Sequence, residues 1–163
     1  MDNMRKRHVI WMLPMICILL FAGYNRYFYQ FKSLDHATLL MGPVASPDGS
    51  YRASAYDLGY GGAAGGVLYL VEIEDTRTGE KKIVYSSNHK NTFMISWKSS
   101  DILAVTNESP EYNEFRSVEL NVRSDIYEES GAACRSLRLR GKFENCYKAE
   151  DIKIPLFLKL LGY

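Results

Sequence analysis

The chain reads as mainly β: an N-terminal transmembrane helix, then a small antiparallel β-sheet domain of meander topology, closed by a short C-terminal helix. Three observations lead to this class. Arg5, Lys6 and Arg7 run directly into the apolar stretch 9–23. Downstream, short runs of β-branched and aromatic residues alternate with polar turn residues. The connections between successive runs are a few residues long, whereas parallel pairing needs a crossover of about a dozen or more.

The apolar stretch 9–23 is short against the roughly 20 residues that an untilted helix needs to cross hydrocarbon. Trp11, Tyr24, Tyr27, Phe28 and Tyr29 lengthen it, because aromatic rings settle at headgroup level. A cleaved secretory signal begins the same way, but Leu20-Phe21-Ala22-Gly23 places bulky residues where cleavage favours small ones. An uncleaved signal anchor over 9–29 is the expectation. The clustered cations hold residues 1–8 in the cytoplasm. Residues 30–41 then act as a linker, and 42–163 form an exported β domain on the extracytoplasmic, periplasmic side of the plasma (inner) membrane.

The formal charge of +1 conceals a division. Beyond residue 32 the chain holds 15 Lys and Arg against 18 Asp and Glu, so the exported part is mildly acidic. That gives no electrostatic reason to expect nucleic acid. Its length suits a single core. Cys134 and Cys146 are expected to pair: closing their loop removes denatured-state entropy equivalent to about 3 kcal/mol, and such bonds persist in oxidising compartments. The alternatives are free thiols or metal ligands, although zinc favours four ligands at closer spacings.

The strands follow in order. Residues 51–56 and 67–74 favour a pleated surface; in the second run Val67, Tyr69, Val71 and Ile73 share one face while Glu72 and Glu74 take the other, predicting one buried and one wet side. Residues 75–81, with Gly79, supply turn chemistry, so 82–86 return antiparallel. A second pair, 92–97 and 102–106, is joined by 98–101. In 115–122, Val118, Leu120 and Val122 alternate with Glu119 and Asn121. At the end, Pro155 opens and Gly162 stops a short helix carrying Leu156, Phe157, Leu158, Leu160 and Leu161, which packs on the sheet or rests on the membrane surface.

Ser46-Pro47-Asp48-Gly49-Ser50-Tyr51, then Leu68-Tyr69-Leu70-Val71, Thr78-Gly79, Ile95-Ser96-Trp97 and Ile102-Leu103-Ala104-Val105 follow the order of elements in one blade of the TolB-type β-propellers, which this region locally resembles. A whole propeller needs at least four blades. The same order, over 46–122, is similar to small membrane-anchored bacterial proteins grouped only as a domain of unknown function. That resemblance implies a bacterial cell-envelope location and a compact β domain, with no reaction or site attached, and it does not extend to 127–147.

Residues 59–66 are rich in glycine, and exposed backbone N–H groups there could cradle an anion. No Lys-Ser or Lys-Thr follows, and the next element is a strand, so a loop between strands is the reading, with Gly61, Gly62, Gly65 and Gly66 as candidate binding residues. His8, His36 and His89 are scattered, and neither a metal site nor a cofactor is expected. Without a Gly-x-Ser-x-Gly elbow or a His-Glu-x-x-His helix, no catalytic residue is predicted; Glu72 with Glu74 reads as a solvated strand face. Arg138 and Arg140 alternate with Leu137 and Leu139, predicting a cationic strand face that protects a sheet edge or docks an acidic partner or anionic lipid. The function expected is a non-enzymatic binding module, single-pass in the membrane and partnered by another envelope protein. Alternatives are a periplasmic immunity-type inhibitor of a toxin and an unrecognised hydrolase.

Overall fold

The computed structural model describes residues 2–62, 65–88, 92–109 and 114–152. Helix α1 (Asp2–Tyr27) leads into two sheets. The first carries β1 (Thr38–Ala45), β2 (Tyr51–Tyr60), β3 (Gly66–Asp75) and β4 (Lys81–Ser87). The second carries β5 (Thr92–Trp97), β6 (Ile102–Ser109), β7 (Glu114–Phe115) and β8 (Val118–Asn121). The chain then forms β9 (Asp125–Glu128), two helical turns α2 (Ala132–Arg135) and α3 (Leu137–Arg140), β10 (Asn145–Tyr147) and a final 3₁₀ turn. The protein is mainly β, with antiparallel and mixed pairing.

Local chemistry explains the turns. Between β1 and β2, the Asp48 carboxylate accepts hydrogen bonds from the Ser46 hydroxyl at 2.7 Å, the Ser50 hydroxyl at 2.8 Å and the Ser50 N–H at 3.1 Å, closing an Asx-type turn. Between β3 and β4, Asp75 Oδ1 accepts from the N–H groups of Arg77 and Thr78, and Gly79 takes φ +71°. The Thr76 hydroxyl donates to the carbonyls of Gly49 and Ser50, tying the two turns together.

The predicted meander holds from β1 to β4 and again in the antiparallel pair of β5 and β6, and it breaks in the first sheet after β4. The first sheet has the order β1-β2-β3-β4-β9-β10, with β9 parallel to β4 and β10 parallel to β9. Both crossovers meet the length rule by routes that connection lengths between successive strands do not reveal. The first crossover is the whole second sheet; the second contains α2 and α3. The run 67–74 was expected wet on one side, yet Leu70 on that side is as fully buried as Val71. The linker is shorter than 30–41, because Thr38 to Met41 already pair with β2.

The main core lies between the sheets. Tyr51, Ala53, Ala55, Val71, Ile73, Val84 and Tyr85 from the first meet Ile95, Leu103, Val105 and Leu120 from the second. Trp97 closes one end, stacked on Tyr51 with its indole N–H donating to the Val44 carbonyl at 3.0 Å. A smaller core of Ile126, Ala133 and Leu139 is covered by Tyr29, Phe31, Phe143 and Cys146.

One further expectation changes. Residues 136–140 are not a strand: the N–H groups of Leu139 and Arg140 both donate to the Ser136 carbonyl, which makes α3 a helical turn. Among the described residues no helix is long and apolar enough to cross a membrane. The helix predicted around 156–162 lies outside the described residues.

Candidate functional site

Strand alternation divides the β4–β9 pair into two faces. Tyr85 lies beside Tyr127 and Ser86 beside Glu128 in the register, so the tyrosines enter the core while Ser86 and Glu128 take the outer face. The two rings stack with centroids 4.8 Å apart. On the outer face a cleft of about 480 Å³ opens. Leu58, Gly59 and Tyr60 of β2 and Leu68 of β3 form one wall, Ser86 to Asn88 and Glu128-Glu129 the floor, and Tyr29, Gln30 and Lys32 the other wall. Most of that lining is apolar.

The floor is held rigidly. Glu128 is buried and accepts hydrogen bonds from the N–H and hydroxyl of Ser130, each at 3.0 Å, and from the Ala133 N–H at 3.1 Å. It thereby anchors the first turn of α2. Glu129 accepts from the Ser87 hydroxyl at 3.0 Å, the Asn88 N–H at 2.7 Å and Arg116 Nε at 2.6 Å. Beneath it, the Tyr85 hydroxyl donates to the Arg116 carbonyl and accepts from Asn107 Nδ2, both at 2.9 Å. Burial pushes the Tyr85 phenol well above its ordinary range, against the opposing pull of its bonds to Asn107 and Ser87, so it stays neutral. Burial, reinforced by Tyr85, does the same to Tyr127.

Both carboxylates use their acceptor capacity on the protein's own donors, so neither is aimed at a substrate proton. What the cleft offers a ligand is an apolar wall with the polar edges of Tyr29, Ser86 and Lys32.

The residues singled out from sequence do not form one site. Gly61 and Gly62, with φ of +82° and +61°, cap the exposed tip of the β2–β3 hairpin, with Gly65 and Gly66 opposite. Their neighbours Gly59 and Tyr60 line the cleft. Arg138 and Arg140 lie on α3, and Arg140 borders a separate cavity beside the disulfide. Cys134 and Cys146 are bridged, with Cα atoms 5.3 Å apart, which joins α2 to β10. Among the described residues no group of three or more His, Cys, Asp or Glu could hold a metal. The cleft residues were missed because they come from separate segments; adjacent Glu128 and Glu129, near the end of an acid-rich stretch, were the nearest signal in the sequence.

Residues 4–131 match the model of a family described as "Family of unknown function (DUF5412)". The chain belongs to this family. No curated protein and no solved structure matches it. The DUF5412 match takes in α1, both sheets up to β9 and every residue lining the cleft, and it stops at Gly131. The disulfide-held segment with Arg138 and Arg140 lies beyond it. The elements that resemble a propeller blade are divided here between the two sheets, so they do not make a single blade.

Proposed function

We propose that this DUF5412 protein is a non-enzymatic binding module of the bacterial cell envelope, held in the plasma membrane by α1 with its β domain on the extracytoplasmic side. One observation carries the reading. Met15, Ile16, Ile18, Leu19, Leu20 and Phe21 are all exposed, and at about 100° per residue these positions encircle the helix. Exposed apolar side chains that encircle a helix favour lipid over water. Exposed Tyr24, Tyr27 and Phe28 follow, as at a headgroup boundary, and the aromatic belt together with local thinning of the bilayer accommodates the short run. The disulfide suits an oxidising compartment.

In this orientation the cleft opens near the point where the chain leaves α1, since Tyr29, Gln30 and Lys32 form one wall. Its ligand is an apolar group with a polar end, such as a side chain of a neighbouring envelope protein. Two measurements test the reading: an alkaline phosphatase fusion after Tyr163 is active, and the protein stays with membranes through carbonate extraction. An inactive fusion or complete extraction overturns the location. Photo-crosslinking from a probe at Leu58 should trap one partner, and Leu68→Trp, which fills the cleft, should abolish the adduct; an adduct that persists overturns the cleft.

A further inference from the structure

We propose that the disulfide-clasped corner α2–α3 is a docking surface for anionic phospholipid headgroups, a reading that rests on α1 lying in the membrane. The corner is fixed against the base of the anchor. The Ser136 hydroxyl donates to the Tyr29 carbonyl at 3.1 Å, and Leu139 packs in the small core with Tyr29 and Phe31. Leu137, by contrast, is 56% exposed and shares an apolar groove with Leu20, Phe21, Tyr24, Tyr27 and Phe28 of the anchor segment. The corner therefore sits at the level where the helix would leave the hydrocarbon.

The turn geometry of α3 gives this surface its character. At about 100° per residue, Leu139 and Leu137 lie on opposite sides, and Arg138 and Arg140 fall on either flank of the outward Leu137. Both arginines are exposed, as are Arg135 and Lys142. From 135 to 144 these four cations face a single acid, Glu144. No ion pair involves any of the four among the described residues, although seven pairs form elsewhere. An apolar tip flanked by guanidinium groups, next to a lipid-facing helix, is complementary to phosphates above acyl chains. Burying that tip in another protein would require acids that the lipid layer already supplies.

Depth measurements on spin-labelled full-length protein in vesicles test the proposal. Native Cys17, exposed on α1, reports the anchor. Gly141→Cys on a Cys17→Ser background reports the corner, where an added Cβ meets nothing within 4 Å. In phosphatidylcholine containing phosphatidylglycerol, both labels should favour oxygen over a water-soluble nickel chelate. The corner label should lose that preference several-fold in pure phosphatidylcholine or high salt. Arg138→Glu with Arg140→Glu should return it to water while the Cys17 label stays in lipid. A corner label that is aqueous in anionic vesicles while Cys17 remains in lipid overturns the docking surface, keeps the anchor and leaves the corner to a protein partner. Equal depth without anionic lipid, or indifference to the charge reversals, overturns recognition by the arginines. An aqueous Cys17 label overturns the anchor and this inference together.

Discussion

Removing the Cys134–Cys146 bridge should loosen one part of the domain and leave the rest intact. The bridge closes a loop whose ends are 12 residues apart, and restoring that loop's freedom is worth about 3 kcal/mol in the chain-entropy description. Nothing else inside the loop is self-sufficient. α2 and α3 have four residues each and β10 three, far below the length at which an isolated helix persists. Among the described residues the small core beneath them has three buried members, Ile126, Ala133 and Leu139, whereas the core between the sheets draws none of its buried residues from the loop. The double variant Cys134→Ser, Cys146→Ser should therefore make opening of the segment 132–147 easier by about 3 kcal/mol, which raises amide exchange there roughly 100-fold. Hydrogen exchange followed by mass spectrometry on the membrane-reconstituted protein measures this peptide by peptide. Peptides from β2 and β3 should exchange as in the parent protein. Unchanged exchange across 132–147 would show that packing alone holds the corner; equal acceleration in β2 and β3 would show that the bridge supports the whole domain. Either result refutes the reasoning.

Three further outcomes follow from particular contacts. Glu129→Gln leaves Arg116, whose side chain is 21% exposed, beside an uncharged acceptor; the cost should be about 2 kcal/mol by urea denaturation, between the values for exposed and fully buried pairs. Gly42→Ala should cost about 2–4 kcal/mol in thermal melts, because φ is +103° and the new Cβ would sit 2.5 Å from the Ala53 carbonyl oxygen, whereas Gly79→Ala, at φ +71° in open space, should cost about 1 kcal/mol. Hydrogen bonds from Ser46 and then Ser50 hold the Asp48 carboxyl at about 2, below its ordinary 3.8. A depressed carboxylate stabilises the fold fully above its unfolded value and loses that contribution as pH falls from about 4 to 2. NMR titration should find that low midpoint, and Ser46→Ala should move it upward.

Where the sequence was legible, local chemistry and tertiary packing agreed. The β2–β3, β3–β4 and β5–β6 hairpins have strand patterns separated by short polar or glycine-rich connections, and the cysteine pairing was legible from the spacing of Cys134 and Cys146. The arginine-leucine alternation at 137–140 was ambiguous in principle. Four residues are too few to separate a period of two from one of 3.6. The outcome was decided by Leu139 entering the small core with Tyr29 and Phe31, more than 100 positions away in the chain. The cleft was hidden for the same reason: its walls meet only after β9 returns to β4.

β9 itself shows why its place could not be read locally. Asp125, Ile126, Tyr127 and Glu128 are all buried, so the strand has no wet face to produce alternation, and its two acids argue against a central position. Yet the acids fix that position. Asp125 accepts from the Asn121 N–H at 3.0 Å, the Ser124 hydroxyl at 2.7 Å and Asn145 Nδ2 at 2.8 Å, joining the end of β8 to β10. Glu128 secures α2, and Glu129, one residue further, ties β4 to Arg116 beside the second sheet. Asp125 and Glu129 reach donors on other elements, so a slip of one residue would break those bonds, whereas the donors to Glu128 lie on its own segment and would move with it. A purely apolar strand would bury as much surface with far weaker discrimination between registers. Charge that looks unfavourable for a central strand thus helps to fix the parallel addition, and the same commitment leaves the carboxylates on the floor of the cleft bonded to the protein's own donors.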